Sequence, residues 1–383
     1  MTRARRRLGL RAVVVALVVG LASITAGCGD EAVPLPPVGV SPAHDSLEAA
    51  APAVDALSTT VGVADSDLLG LPADQVVTSV AAIKRLGVTT VRLLVPWAAI
   101  EPAPDSYDWT MVDKTVNAVA AQGISILATL NSPPGWAVAP GQPAIVGRPA
   151  SAAAFGRFAG RVAEHYRGKI SAYEVWNEQN GAAFFAPAPD PVSYVDLLKA
   201  AYPAIKTADH SATVVTGGLG AVVDYSTIAM DPVTFVSRMY AAGAKGFFDA
   251  LSYHPYQYTM KFSASWHPDA PLNQLAGIRQ LMMANGDADK KVWATEYGEP
   301  SSVVGEVAQA AFLDDMLSEW RNLPYAGPVY VYTMRDRNSQ STAAEDTLGL
   351  HRSDGTAKPA EQVVVAHLAA QRLLLEKASS APR

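Results

Sequence analysis

The sequence predicts a single (β/α)8 TIM barrel, and three observations carry that expectation. From about residue 58 onward, short β-branched runs alternate with longer helix-like segments, the pattern of βα units feeding one parallel sheet. There are eight such runs in about 320 residues, enough to close a barrel. No Gly-rich phosphate turn follows the first run, as an open doubly wound sheet usually shows, and Gly217-Gly218-Leu219-Gly220 fits neither phosphate-loop spacing.

In chain order the expected strands are Thr59–Ala64, Thr89–Val95, Ile124–Leu130, Ile170–Trp176, Ala212–Gly217, Ala250–Tyr253, Lys291–Thr295 and Pro328–Thr333. Helix-like segments lie between them at Ala73–Leu86, Met111–Gln122, Ala150–Tyr166, Val192–Ala208, Pro232–Ala242, Pro271–Asn285 and Val304–Asn322. A last helix opens at Pro359, a residue tolerated in the first turn, and runs to about Lys377. The barrel domain is expected over residues 56–377, with a tail at 378–383. With 49% hydrophobic residues and only 17% charged, such a chain can bury a large core.

The N-terminus reads as an export signal. Arg3, Arg5, Arg6, Arg7 and Arg11 precede an apolar run from Ala12 to Ile24, which is short for a membrane span of roughly 20 residues. It ends in Thr25-Ala26-Gly27-Cys28, which resembles the lipobox of bacterial lipoproteins. That resemblance implies a signal peptide over 1–27, a lipid on Cys28 and residence on the outer face of the cytoplasmic membrane. An ordinary signal peptide, giving a secreted protein, or an uncleaved anchor is the alternative. Cys28 is the chain's one cysteine. Residues 28–55, with Pro34, Pro36, Pro37, Pro42 and Pro52, read as an extended tether. Removing the signal takes five arginines and no acid, so the net charge moves from −6 to −11. An acidic protein of this kind has no electrostatic case for binding nucleic acid.

In a TIM barrel, chemistry sits at the C-terminal ends of the strands. Polar and aromatic residues gather at these ends: Arg92 on strand two and Trp97 after it, Asn131 and Trp136 after strand three, His254 and Tyr256 after strand six, Tyr332 on strand eight. Strand four ends in Asn177-Glu178 and strand seven in Thr295-Glu296. Hydrolysing a glycosidic bond needs one carboxylic acid to protonate the leaving oxygen and a second carboxylate to attack or position water. Strands four and seven lie on roughly opposite sides of the barrel, so Glu178 and Glu296 can face each other across its mouth. Trp97 and Trp136, in Pro-rich loops, are the expected platforms for sugar faces, whereas Trp176 and Trp293 are mid-strand and suit packing. Arg92, Asn131, Asn177, His254, Tyr256 and Tyr332 complete the expected substrate-binding shell. Alternation along strand four places Glu174, Trp176 and Glu178 on one face, with Glu174 buried deeper and paired with an Arg such as Arg92. Glu299 reads as a loop carboxylate. The chemistry asks for no cofactor and no metal.

These residues also resemble the clan A retaining glycoside hydrolases, in the neighbourhood of families 39 and 5. Glu-Val-Trp-Asn-Glu-Gln-Asn at 174–180 is similar to their strand-four signature, and Ala294-Thr295-Glu296-Tyr297-Gly298 to their strand-seven segment. The resemblance implies Glu178 as acid/base, Glu296 as nucleophile and Asn177 at the sugar 2-hydroxyl. It also implies Tyr256 against the nucleophile and Arg92 near it. The segment with Trp97, Glu101-Pro102 and Tyr107-Asp108-Trp109, and the passage Leu348-Gly349-Leu350 to Ala360, match in order. Asn131 stands where relatives often carry His, and strand eight lacks their usual Trp. The expected protein is a retaining β-glycosidase acting as a monomer on an extracellular or cell-envelope poly- or oligosaccharide. A carbohydrate-binding lipoprotein without turnover, or a transglycosylase on the same fold, is the alternative.

Overall fold

Eight parallel strands pair in chain order and close on themselves, first against last, as the eight β-branched runs predict. They are β1 (Val61–Ala64), β2 (Thr90–Pro96), β3 (Ser125–Asn131), β4 (Ala172–Asn177), β5 (Thr213–Gly220), β6 (Leu251–His254), β7 (Val292–Tyr297) and β8 (Ala326–Tyr332). The helices are α1 (Ala73–Leu86), α2 (Trp97–Ile100), α3 (Thr110–Ala120), α4 (Ala152–His165), α5 (Pro191–Ala208), α6 (Pro232–Ala241), α7 (Pro271–Ala284), α8 (Ser301–Val304), α9 (Glu306–Arg321) and α10 (Pro359–Ser380). This computed structural model describes residues 52–380. The signal segment, Cys28, most of the tether and the last three residues lie outside the described residues.

The expected elements are present with ends shifted by a few residues, and two differ in kind. One helix was expected over 304–322, but two form, α8 and α9, because Gly305 sits at φ 81°, which only a residue without Cβ adopts freely. The Pro-rich turn after β2 is not a loop either: Pro96 leads directly into α2, which starts at Trp97. The last helix continues past Lys377 to Ser380. Among the described residues no helix is long and apolar enough to cross a membrane.

The helices begin on local chemistry that recurs. Asp190 and Asp231 each accept from the two backbone N–H groups at the start of α5 and α6, and each is followed by Pro at the first helical position. A side-chain cap of this kind contributes about 1 kcal/mol, and Pro there gives up no hydrogen bond.

Alternation along the strands sorts side chains into two regions. On β2, Val91, Leu93 and Val95 pack outward against the helices, and on β3 Ile126, Ala128 and Leu130 do the same. Thr90, Arg92, Ser125 and Thr129 fall on the opposite face, inside the barrel. The upper interior is thus polar and charged, where TIM barrels mostly carry Val, Ile and Leu. A buried polar layer is stable only if its groups are mutually satisfied, and this requirement shapes the barrel mouth.

Candidate active site

Arg92 puts each of its three guanidinium nitrogens on a protein oxygen. Its Nε donates to Glu174 Oε2 (2.7 Å), its Nη2 to Asn177 Oδ1 (2.6 Å) and its Nη1 to Glu296 Oε1. Glu174 is fully buried and also accepts from Thr129 Oγ1 (2.7 Å) and Thr295 Oγ1 (2.5 Å). The expected Arg92–Glu174 pair is therefore present. Arg92 itself is buried, with each of its three nitrogens on a protein oxygen, which corrects its assignment to the substrate-binding shell: it orients Glu174, Asn177 and Glu296.

Glu296 is 15% exposed at the side chain, and Glu178 is 16% exposed. Tyr256 Oη donates to Glu296 Oε2 (3.0 Å). Burial pushes the Glu296 carboxyl up, but Arg92, then His254 and Tyr256, outweigh it and hold the group below the usual glutamate range. Glu178 has different company. Its side-chain hydrogen-bond partner among the described residues is His254, whose Nδ1 lies 3.1 Å from Glu178 Oε1 and 3.9 Å from Glu296 Oε2. One ring nitrogen thus sits between the two carboxyl groups. The imidazole occupies the space that a Cβ on Gly218 of β5 would need, which explains a glycine inside a strand.

Both glutamates reach the mouth through a break in strand alternation. On β4 the expected common face of Glu174, Trp176 and Glu178 does not hold. Trp176 takes φ 81° and turns outward against Phe155 and Phe185 (ring centroids 5.8 and 5.3 Å), donating Nε1 to Phe184 O (2.9 Å). Asn177 then points inward to Arg92, and Glu178, at φ 47°, follows it. Two left-handed non-glycine residues store about 1–3 kcal/mol each. They are held by β5: Glu178 N donates to Gly218 O (2.8 Å), Gln179 Nε2 to Gly217 O (2.9 Å) and Asn180 Nδ2 to Gly220 O (2.9 Å). On β7 the register against β8 shifts between Ala294 and Tyr297. Ala294 and Tyr297 pack outward while Thr295 and Glu296 both face in.

The remaining expected residues fall into three groups. Trp97 is a correction: it is fully buried, stacked on Phe158 (5.2 Å), with its Nε1 on Glu101 Oε2 (2.7 Å), so it offers no face to a ligand. Trp136 is half-buried, edge-on to Trp97 (5.4 Å), with Nε1 on Glu101 O (3.1 Å), and keeps some free surface. Asn131 ends β3, half-buried, and accepts from Ser132 Oγ (2.9 Å). Tyr332 is buried and accepts from Arg337 Nη2 (2.9 Å), whose guanidinium clasps Asp67. Trp176 and Trp293 are core residues, as expected.

Three acids here have a burial that the sequence reading did not assign. Glu299 is a loop carboxylate, as expected, but a buried one. It is 1% exposed, and burial pushes its pKa up to about 9 although Tyr297 Oη donates to it (3.1 Å). Glu345, in the long stretch after β8, is pushed up to about 7 by burial and then by the charges of Glu296 and Glu178. Asp65, directly after β1, is pushed up to about 7 by burial and then by Asp67. Asp65 was findable as the first residue past a strand end, whereas Glu345 sits in no periodic segment.

Residues 71–186 match the family model Glyco_hydro_42, described as β-galactosidase. Among solved structures, the chain is similar to a family 39 glycoside hydrolase from the gut symbiont Bacteroides cellulosilyticus WH2, with a TM-score of 0.67 and 23% identity over 82% of this chain and 64% of that one. It is similar to GH5_18 from Streptomyces cattleya in complex with GlcNAc, with a TM-score of 0.63 and 17% identity over 82% of that chain and 85% of this one. It also resembles the exo-β-1,4-mannosidase Op5Man5 from Opitutaceae bacterium strain TAV5, with a TM-score of 0.59 and 17% identity over 81% of this chain and 59% of that one. No curated protein matches the chain. At these identities the solved structures establish a shared (β/α)8 fold, and the chain spans just under two thirds of the family 39 structure.

Proposed function

We propose that this chain is a retaining β-glycosidase acting on an extracellular or cell-envelope glycan. The observation that carries this reading is the pair Glu178 and Glu296, which share His254 Nδ1 at 3.1 and 3.9 Å but differ in their other side-chain hydrogen bonds. Glu296, held ionised by Arg92 and Tyr256, is suited to attack the anomeric carbon. Glu178, with neither a guanidinium nor a phenol on it, is suited to deliver a proton to the leaving oxygen and then to take one from water. A single nitrogen 3.1 Å from one carboxyl group and 3.9 Å from the other keeps the two close enough to include the spacing of about 5–5.5 Å in retaining enzymes. The family-model match at 71–186 and the glycosidase neighbours support the same class. Asn177 has its Oδ1 on Arg92, which leaves its amide NH2 to donate to a sugar hydroxyl.

The export signal and Cys28 support a place outside the cell on a lipid anchor. Replacing Cys28 with Ser should move the protein from the membrane fraction to the medium; unchanged fractionation would refute the anchor. For the chemistry, purified envelope glycans and β-linked oligosaccharides should yield products whose first-formed anomer, followed by proton NMR, is β. An α product from a β bond would mean inversion, and inertness towards all of them would sink the glycosidase reading.

A further inference from the structure

We infer that Thr295, anchored on Glu174, is a positioning residue that fixes the protonation site of His254, leaving Nδ1 as the one ring position that exchanges a proton with Glu178. This rests on the glycosidase reading above. Thr295 Oγ1 has one hydrogen, and Glu174 Oε1 takes it at 2.5 Å. The hydroxyl can then only accept from its two other neighbours, Ser252 Oγ at 2.5 Å and His254 Nε2 at 2.8 Å. His254 Nε2 therefore carries a hydrogen whether the ring is neutral or charged. A proton can come or go only at Nδ1, which faces Glu178 Oε1 and, further off, Glu296 Oε2.

The other charged or titratable groups near the ring and its two glutamates are Arg92, Tyr256, and the pair Tyr258 and Glu345, which acts on Glu178 and Glu296. Arg92 from β2 is bound to Glu174 and Glu296, Tyr256 lies 6.3 Å away centroid to centroid and donates to Glu296, and β5 presents only Gly218. Thr295, Ser252, Glu174 and the imidazole are all buried, so water does not compete for these bonds.

The consequence is chemical. With Nε2–H fixed, a neutral ring turns the lone pair of Nδ1 towards Glu178 and accepts from its protonated carboxyl. The opposite tautomer would aim a permanent N–H at Glu178 and favour its carboxylate, the wrong form for protonating a leaving group. When the glycosidic C–O bond breaks, the proton of Glu178 goes to the leaving oxygen. In the second half-reaction water returns one to Glu178, and the ring need not turn over in either step.

The test uses the mature chain and the variants Thr295→Val, which keeps the shape and loses the hydroxyl, and Thr295→Ser, which restores it. For a glycoside with a poor leaving group, Thr295→Val should lower kcat/KM by about tenfold or more, part of the 10²–10⁴-fold due to general acid catalysis. The alkaline limb of its pH profile should move to lower pH. A dinitrophenyl glycoside, which leaves without a proton, should react nearly as in the wild type, and Thr295→Ser should recover both properties. Independently of turnover, nitrogen NMR of ¹⁵N-histidine-labelled wild type should find the His254 Nε2 protonated across the titration, with only Nδ1 changing. An unprotonated Nε2 in the wild type, or a Thr295→Val enzyme with unaltered leaving-group dependence and pH profile, overturns the inference. If no glycoside turns over, the glycosidase reading fails while the NMR still decides the tautomer.

Discussion

At the scale of single side chains, Glu296 has a guanidinium on one oxygen and a phenol on the other, whereas Glu178 has an imidazole on one. Arg92 is the group that this difference hangs on, and it is buried. Replacing it with Met would leave Glu174 and Glu296 without their cation in a desolvated site, and such a break costs about 3–5 kcal/mol. Urea unfolding should report a loss of that size at neutral pH. The pH dependence follows from the sign. The Glu296 carboxyl titrates lower in the folded protein than in the unfolded chain, so its contribution is present above the ordinary glutamate range and lost as the pH falls through its folded value. The deficit of Arg92→Met should accordingly shrink on acidification. A deficit independent of pH would mean that Arg92 acts through packing alone.

At the scale of elements, β4 and β7 each interrupt their own alternation one residue or so before the glutamate they deliver. Sequence periodicity located the strands and their ends well enough to bring Glu178, Glu296, His254 and Tyr256 to one mouth. It could not see the interruptions, because Trp176 at φ 81° and the register shift at Ala294–Tyr297 depend on neighbouring strands, not on local propensity. Strict alternation would have sent Glu296 outward. Trp97 failed for a related reason: a Trp after a Pro looks like a loop platform, yet α2 turns it into the core. Glu174 was legible because a carboxylate deep on a strand has to find a cation. Gly218 is the element-scale residue to test. Its missing Cβ leaves room for the His254 ring, so Gly218→Ala should displace the imidazole, destabilise the barrel by about 1–3 kcal/mol and remove most activity. A variant that is as active as the parent would show that His254 is not held there.

At the scale of the whole molecule, the polar interior makes stability depend on pH in both directions. Asp65 and Glu345, pushed up to about 7, and Glu299, pushed up to about 9, bind protons more tightly folded than unfolded. Their contribution is complete below the ordinary carboxylate range and is lost as the pH rises through these values. Glu299→Gln copies the neutral acid and keeps an acceptor for Tyr297. It should flatten the decline in melting temperature up to about pH 9 while leaving the acid side unchanged. An unaltered slope would mean that Glu299 ionises as freely as in the unfolded chain. The barrel fold, its eight-strand order and its buried Arg92–Glu174 pair follow from patterns written along residues 58–377. The placement of Glu345 near Glu296 and Glu178 does not, since it lies in a stretch after β8 that no period marks.

The measurement that bears most directly on the assignment of roles is mechanism-based labelling. The protein is incubated with a panel of 2-deoxy-2-fluoro β-glycosides bearing a good leaving group, and the intact mass and the labelled peptide are determined. One sugar of the panel should add a single fluoroglycosyl unit, carried by Glu296 in the peptide that contains Ala294-Thr295-Glu296-Tyr297-Gly298. A label on Glu178 or any other residue, or turnover of the matching unfluorinated glycoside with no covalent adduct and with inverted product, would contradict the account.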